Sequence, residues 1–439
     1  MRHPFRVFCA VVVLLTVFGH TAGSESLHML YMAQAGYQPS DILERAESFE
    51  EETGTSVELS FVEYEEQYEL IRESSSRPVS SYDVILLDLI WTAEFAERGI
   101  IDPLPDALEE TVTAEIVPEI YSAFAYDDAL WAMPFLGNFQ LMYTNMSLLG
   151  EAGHERPPET LEELKAMARD ARDAGIIDYP IFLPLSEQET LVCVFVWLTG
   201  AYGGSLTDET GSIAVNGKAA VEAVSYLQTL LDEGLLNPYS LQREEVFTAD
   251  VFLAGDSLFT VNWTFLGGLI DEEGADVRER SRASVIPVSE EAPVSEHAPV
   301  SVHAHDSSGG AEPGEVHADS VRTSTVSGYQ GLAVPANSAH PEKSWELIRY
   351  MAAEEFQSEH PTEMPVWQEI LDQHEAESGT VGTELKRRQL AGAKHRPIHP
   401  EYRMISERIQ HWVHRALLES LDPGAALDEA QSEIEDLID

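Results

Sequence analysis

The residues able to do chemistry stand mostly at the ends of apolar runs. Asp88 and Trp91 follow YDVILL (82–87), and Trp263 closes LFTVNW (258–263). Gly137-Asn138-Phe139-Gln140 follows Met133-Pro134-Phe135, with Leu136 between. Tyr37 follows Gly36 behind the first apolar run, Tyr202 precedes Gly203-Gly204, Tyr329 follows Gly328, and Arg396 precedes Pro397. Aromatic rings offer flat apolar faces, while carboxylates and amides hold paired hydroxyls. An arginine fork can grip two oxygens at once. This is a chemistry of binding. Each residue also has a plainer reading. Asp88 can cap the next helix with Trp91 packed on it, because a bare carboxylate at the end of an apolar run is costly to bury. Gly137 to Gln140 can be a turn, Trp263 a core residue, and Arg396 a surface ion-pair partner.

Catalytic signatures are missing from the chain. No Gly-rich phosphate loop, H-E-x-x-H or G-x-S-x-G occurs. A glycosidase would need two carboxylates at a set separation. With 77 acidic residues, pairs of carboxylates in the sequence carry no information, so that reading has no positive support. His297, His303, His305 and His317 could suggest zinc, but a structural site needs fixed geometry and their segment has a low-complexity composition. No metal and no cofactor are expected.

Composition narrows the class further. The 439 residues include 44% hydrophobic ones, enough for a large core and roughly two to three domains. Formal net charge is −51, from 26 basic and 77 acidic residues. So acidic a surface repels phosphate backbones and anionic lipid, which argues against nucleic-acid and membrane-surface binding. Only five of the basic residues are lysine (Lys165, Lys218, Lys343, Lys386, Lys394). Many carboxylates with few lysines, spread along the whole chain, fit adaptation to concentrated salt, where repulsion is screened.

Arg2 and Arg6, the apolar run Val7 to Phe18 and the small residues Thr21-Ala22-Gly23 read as a cleaved secretory signal over 1–23. Cys9 lies early in the apolar run, not at its end as a lipid-anchor cysteine would, so a soluble mature chain without a lipid anchor is expected. Cys193, the other cysteine, sits in the apolar setting Leu191-Val192-Cys193-Val194-Phe195 and reads as a buried, inert thiol.

The elements that must position these residues alternate between strand and helix patterns. Strands are expected over Leu27–Met32, Val57–Phe61, Tyr82–Leu87 and Leu258–Trp263. Helices are expected over Asp41–Glu52, from Thr160 (N-cap, with Glu163 completing a capping box) to about Asp173, after Asn216, from Pro341, over Arg403–Leu421 and over Leu427–Ile438. Such alternation argues for α/β layers with parallel strands. From about 289 to 322 the chain is rich in Ser, Pro, Ala, Glu and His and reads as a mobile insertion.

Seven stretches, in order, carry a resemblance to the family 1 extracellular solute-binding proteins of ATP-binding-cassette sugar importers, the trehalose/maltose type in particular. They are YDVILLDLIWTAEFAERGIIDPLPD (82–106), ALWAMPFLGNFQLMYTNMSLLGEAG (129–153), PPETLEELKAMARDAR (157–172), WLTGAYGGSLTDETGSIAVNGKAAVEAVSYLQTLLDEGLLNP (197–238), FLAGDSLFTVNWTF (252–265), SGYQGLAVPANSAHPEKSWELIRYM (327–351) and HRPIHPEYRMISERIQ (395–410). The insertion departs from the family pattern, as does Gln140 where many members carry Gly.

The resemblance implies a periplasmic-binding-protein-like (type II) α/β fold, with two α/β lobes and a hinged cleft between them. It implies lobes made of 24–135 with 264–338 and of 136–263 with 339–439. It also implies capture of a sugar by cleft closure and delivery to ABC transporter permease subunits, without turnover, by a monomeric periplasmic protein. Asp88, Trp91, Asn138, Gln140, Trp263, Gly328, Tyr329, Tyr37, Tyr202 and Arg396 are the expected sugar-binding residues, with Trp263 and Tyr329 as an aromatic floor.

Overall fold

The structure, a computed structural model, describes residues 26–33, 36–208, 210–292, 322–360, 363–373 and 380–438. The expected signal segment and the histidines of the 289–322 stretch lie outside them. Short strands and amphipathic helices form where the apolar spacing places them. Ile42, Ala46 and Phe49 are all buried on the helix Pro39–Thr53, which ends at Gly54 with φ 75°. Thr160 Oγ1 accepts the Glu163 amide at 3.1 Å and starts the helix Leu161–Asp173. The Glu163 carboxylate does not return to the Thr160 amide as a capping box would; it accepts from the Glu159 amide and pairs with Arg156.

Twelve strands are described, and most belong to two sheets. β1 (Ser26–Met32), β2 (Ser56–Val62) and β3 (Val84–Asp88) come first. A small hairpin of β4 (Ala125–Tyr126) and β5 (Ala129–Leu130) precedes β6 (Met133–Leu136) and β7 (Gln140–Asn145). β8 (Phe259–Trp263), β9 (Ser281–Ser284), β10 (Thr325–Val326), β11 (Gln330–Ala333) and β12 (Ala393–Lys394) follow.

The first sheet has the order β2-β1-β3-β11-β6. Its β1–β2 and β1–β3 pairs are parallel, as the strand–helix alternation predicts. β11 runs antiparallel to both neighbours, because it enters this sheet from the other end. β3, entirely buried, is the middle strand, which accounts for its unbroken apolar run. The second sheet, β8-β7-β9, is antiparallel throughout, so the expectation of parallel strands holds only in the first.

Each sheet serves its own core. One cluster gathers Leu30, Ile85, Leu87, Phe135 and Leu332 around the first sheet. The other gathers Met142, Phe259 and Val261 with the helices Glu189–Ala201, Lys218–Asp232, Tyr402–Glu419 and Pro423–Ile438. Alternation along β7 splits it between them: Leu141 and Tyr143 belong to the first cluster, Met142 to the second.

The packing departs from the expected lobe boundaries at several points, of which two are extended segments. The helix Pro341–Met351 buries Trp345, Leu347, Ile348 and Met351 in the first core and touches the helix Pro39–Thr53. Ile286, Val288 and Val326 pack in the second core, and β9 joins the second sheet. Helices pair with whichever apolar face is open to them, and sequence order does not fix that choice.

Two strand-to-strand passages run between the cores. Gly137–Phe139 carries the chain from β6 of the first sheet to β7 of the second, and Ser327–Tyr329 carries it from β10, which pairs with β12 in a separate two-stranded sheet, to β11. They run side by side: Phe139 bridges Ser327, and the Gly328 amide donates to the Asn138 carbonyl at 2.8 Å.

Candidate functional site

The two passages set the stage for a group of polar and aromatic side chains at the boundary between the cores. Asp88 ends β3 on the side of the first core. Its Oδ1 accepts the Ile90 amide at 3.1 Å, so it does cap the next turn, and it also stands 3.7 Å from Arg396 Nη2. Arg396, only 3% exposed, donates through Nη1 to Glu189 Oε1 at 2.8 Å and through Nη2 to the Ser327 carbonyl at 3.2 Å. Glu189 opens the helix Glu189–Ala201 in the second core. One guanidinium thus touches the first sheet, a passage between the sheets and the second core. Its Nε has no partner among the described residues.

Trp263, at the end of β8, is partly buried. Its indole lies on Gly328: a Cβ built there would stand 2.6 Å from Trp263 Cζ3. Gly328 has no positive φ, so this close approach, and not backbone freedom, is what calls for glycine. The indole Nε1 donates to Glu245 Oε1 at 3.2 Å. Next door, Thr264 Oγ1 lies 2.8 Å from Asn138 Oδ1 and 3.2 Å from Glu363 Oε2.

Burial sets the protonation behaviour of this group. Desolvation pushes the Asp88 carboxyl up, and the Arg396 charge opposes it. Glu245 is raised by burial against hydrogen bonds from Thr190 and Trp263, and Glu363 by burial against the charge of Lys386. His395, with its ring on Ser327 Oγ at 2.8 Å, is pushed down to about 4 by burial and then by the neighbouring charges of Arg396 and Lys394. Burial raises the Cys193 thiol, as expected of an inert cysteine.

The other expected site residues divide. Asn138 lies in the first passage and holds Gly328 and Thr264. Gln140 is fully buried, its backbone bonded on both sides by Thr325 Oγ1 and its side-chain amide without a partner. Tyr37 is 4% exposed among Phe135, Phe356 and His360. Trp91 is 3% exposed and packs with Tyr64, Tyr68 and Phe95, so it backs Asp88 from the first core.

Tyr329, in the second passage, is wholly buried in the first core; its carbonyl accepts the Leu89 amide at 3.2 Å and its ring meets His395 edge-on at 5.8 Å. Tyr202 caps the C-terminal end of the helix that Glu189 begins and packs on Tyr226. That end is roughly 20 Å from Glu189 at 1.5 Å per residue.

Sequence reading missed Glu189, Glu245, Tyr402 and Ser406. Tyr402 and Ser406 both donate to the Glu189 carboxylate. The signal for Glu189 was present, since it immediately precedes the apolar run Thr190 to Leu198, the same cue that singled out Asp88.

Two cores, two chain passages between them and a polar–aromatic site at their boundary define a hinged two-lobe binding protein. A family model described as bacterial extracellular solute-binding protein matches residues 33–358, and the chain belongs to that family. A probable ABC transporter-binding protein of Deinococcus radiodurans is 25% identical over 355 residues, covering 78% of this chain and 76% of that one. Among solved structures, the maltose-bound MalE3 protein of T. maritima superposes with a TM-score of 0.78 at 19% identity, over 94% of this chain and all (100%) of that one. A Thermotoga lettingae ABC transporter solute-binding protein bound to α-D-tagatose gives 0.79 at 20% identity, over 95% of this chain and 100% of that one. The fold is thus the α/β fold of the periplasmic sugar-binding proteins.

Proposed function

We propose that this solute-binding protein captures a sugar at the lobe boundary and hands it to the permease subunits of an ABC transporter, without chemical turnover. The observation that carries the reading is the Arg396 guanidinium, held between Asp88 and Glu189 with Nε unpartnered among the described residues and bonded to Ser327, whose neighbour Gly328 lies under the Trp263 indole. Fork donors and carboxylates suit hydroxyl pairs, and an indole face suits the C–H surface of a pyranose. The structural likeness to maltose- and tagatose-bound proteins supports the same reading.

We take the working form to be a periplasmic monomer, released from its signal segment and free of a lipid anchor. Among the described residues no helix is long and apolar enough to cross a membrane. A thermal-shift series with maltose, maltotriose and trehalose in molar salt tests the function. Binding to the folded state alone raises Tm in step with RT ln(1 + [L]/Kd). Product analysis after long incubation should return the sugars intact. Steady hydrolysis, or a Tm unmoved by every sugar but raised by amines or peptides, would overturn the reading.

A further inference from the structure

We propose that Glu189 is a positioning residue that holds Arg396 across the lobe boundary, an inference that rests on reading Arg396 as a sugar-binding residue. An arginine side chain has several freely rotating bonds, and its fork grips a ligand only where something fixes the plane of the guanidinium. Here the fixing group is a carboxylate that is itself pinned. Glu189 Oε1 accepts from Tyr402 Oη at 2.6 Å as well as from Arg396 Nη1, and Glu189 Oε2 accepts from Ser406 Oγ. Tyr402 and Ser406 are four residues apart, one above the other on the helix Tyr402–Glu419, and Gln410 Nε2 donates to Ser406 Oγ at 2.9 Å. The first turns of the helix Tyr402–Glu419 therefore fix the carboxylate, and the carboxylate fixes Nη1.

With Nη1 held, Nη2 meets the Ser327 carbonyl and faces Asp88 of the first sheet, and Nε is left over. Asp88 and Glu189 both act on Arg396, and Arg396, Glu189, Glu245 and Asp88 all act on the Cys193 thiol one turn along the helix. Without Glu189 the guanidinium would keep only the looser Asp88 contact and the Ser327 carbonyl. It would then swing between orientations.

A double-mutant cycle tests this on the chain from Ser24, in which Cys193 is the sole thiol. Affinity for maltose, maltotriose and trehalose is measured for the parent, Glu189→Gln, Arg396→Gln and the pair, with Tm recorded for each. Glu189→Gln keeps the shape and removes the charge. A charge-assisted hydrogen bond acting through Arg396 predicts a loss of roughly ten- to a hundredfold. The pair should bind no worse than Arg396→Gln alone.

The second arm needs no sugar: the rate at which a soluble disulfide reagent reaches Cys193. That rate should rise several-fold in Glu189→Gln and no further in the pair. Additive losses, or parent-like affinity and thiol rate with only a lowered Tm, would overturn the positioning role and leave sugar binding intact. If the parent binds none of the sugars, the functional reading falls. The thiol rates alone then decide the role of Glu189, and equal rates in parent and Glu189→Gln overturn it.

Discussion

At the scale of single residues, the site shows how a small change reads out geometry. Gly328 gives up its side chain to the Trp263 indole. Gly328→Ala needs no forbidden backbone angle, yet its Cβ would overlap the indole, with the nearest ring atom 2.6 Å away, so the ring must move. Sugar affinity should fall at least tenfold, while Tm drops only slightly because Trp263 lies at the lobe boundary and keeps part of its surface exposed. Titration calorimetry and tryptophan fluorescence on the same variant check both parts.

His395 makes a second prediction. Its folded value of about 4 lies below the 6.5 of the free side chain, so between those pH values the unfolded chain binds the extra proton. The stability contributed by the neutral ring is complete above pH 6.5 and is lost as pH falls through 4. A drop of about two and a half units corresponds to ~3 kcal/mol at most. His395→Gln cannot titrate, so relative to it the parent should lose stability as pH falls from 7 to 4. Parallel denaturation midpoints for the two proteins across that range would refute the assignment.

At the scale of elements, the helix Glu189–Ala201 is the part most constrained by its surroundings. Eleven of its residues are buried, from Thr190 to Ala201, and its two ends do different things. The N-terminal end presents Glu189 to Arg396, while the C-terminal end packs against β10 and β12. Gly200 lies at that second contact, where an added Cβ would come within 2.2 Å of Ser324 Oγ and 3.2 Å of Lys394 Cγ. Two effects oppose each other in Gly200→Ala. Helix propensity favours alanine by about 1 kcal/mol, and overpacking of a filled core costs about 1–3 kcal/mol. Ser324 also donates to the Trp197 carbonyl, so it cannot move without losing a buried hydrogen bond. The clash should win. A net loss of stability is expected by urea unfolding, and a stabilised variant would show that β10 yields freely.

At the scale of the whole molecule, charge dominates. A formal charge of −51 over 439 residues means that like charges face one another across most of the surface. Many of the ion pairs are exposed i,i+3 or i,i+4 pairs, such as Arg77–Glu73 and Arg415–Glu419, each of which contributes little. Screening should therefore stabilise the fold. Tm is expected to rise by several degrees between dilute buffer and molar potassium chloride. A Tm that stays level would show that the acidic surface carries no net repulsion.

The sequence alone determined what is local. Helix Leu161–Asp173 begins at its Thr160 cap, β3 is legible as an apolar run covered on both faces, and the succession of motifs pointed to the family and so to two lobes. Asp88, Trp263, Gly328 and Arg396 stood out because polar or aromatic groups at the ends of strands or beside Pro are conspicuous in a linear reading. Only the tertiary structure decided which groups meet. Asp88, Glu189, Trp263, Ser327 and Arg396 are distant along the chain, and they converge because the β6–β7 and β10–β11 passages run side by side between the two cores. It decided too that Tyr329 is sealed in the first core, that Tyr202 sits at the far end of the helix from Glu189, and that the helix Pro341–Met351 packs in the first core against the helix Pro39–Thr53. Apolar spacing fixes the face an element buries. The neighbour against which it buries that face is set by chain passages, whose course no local pattern encodes.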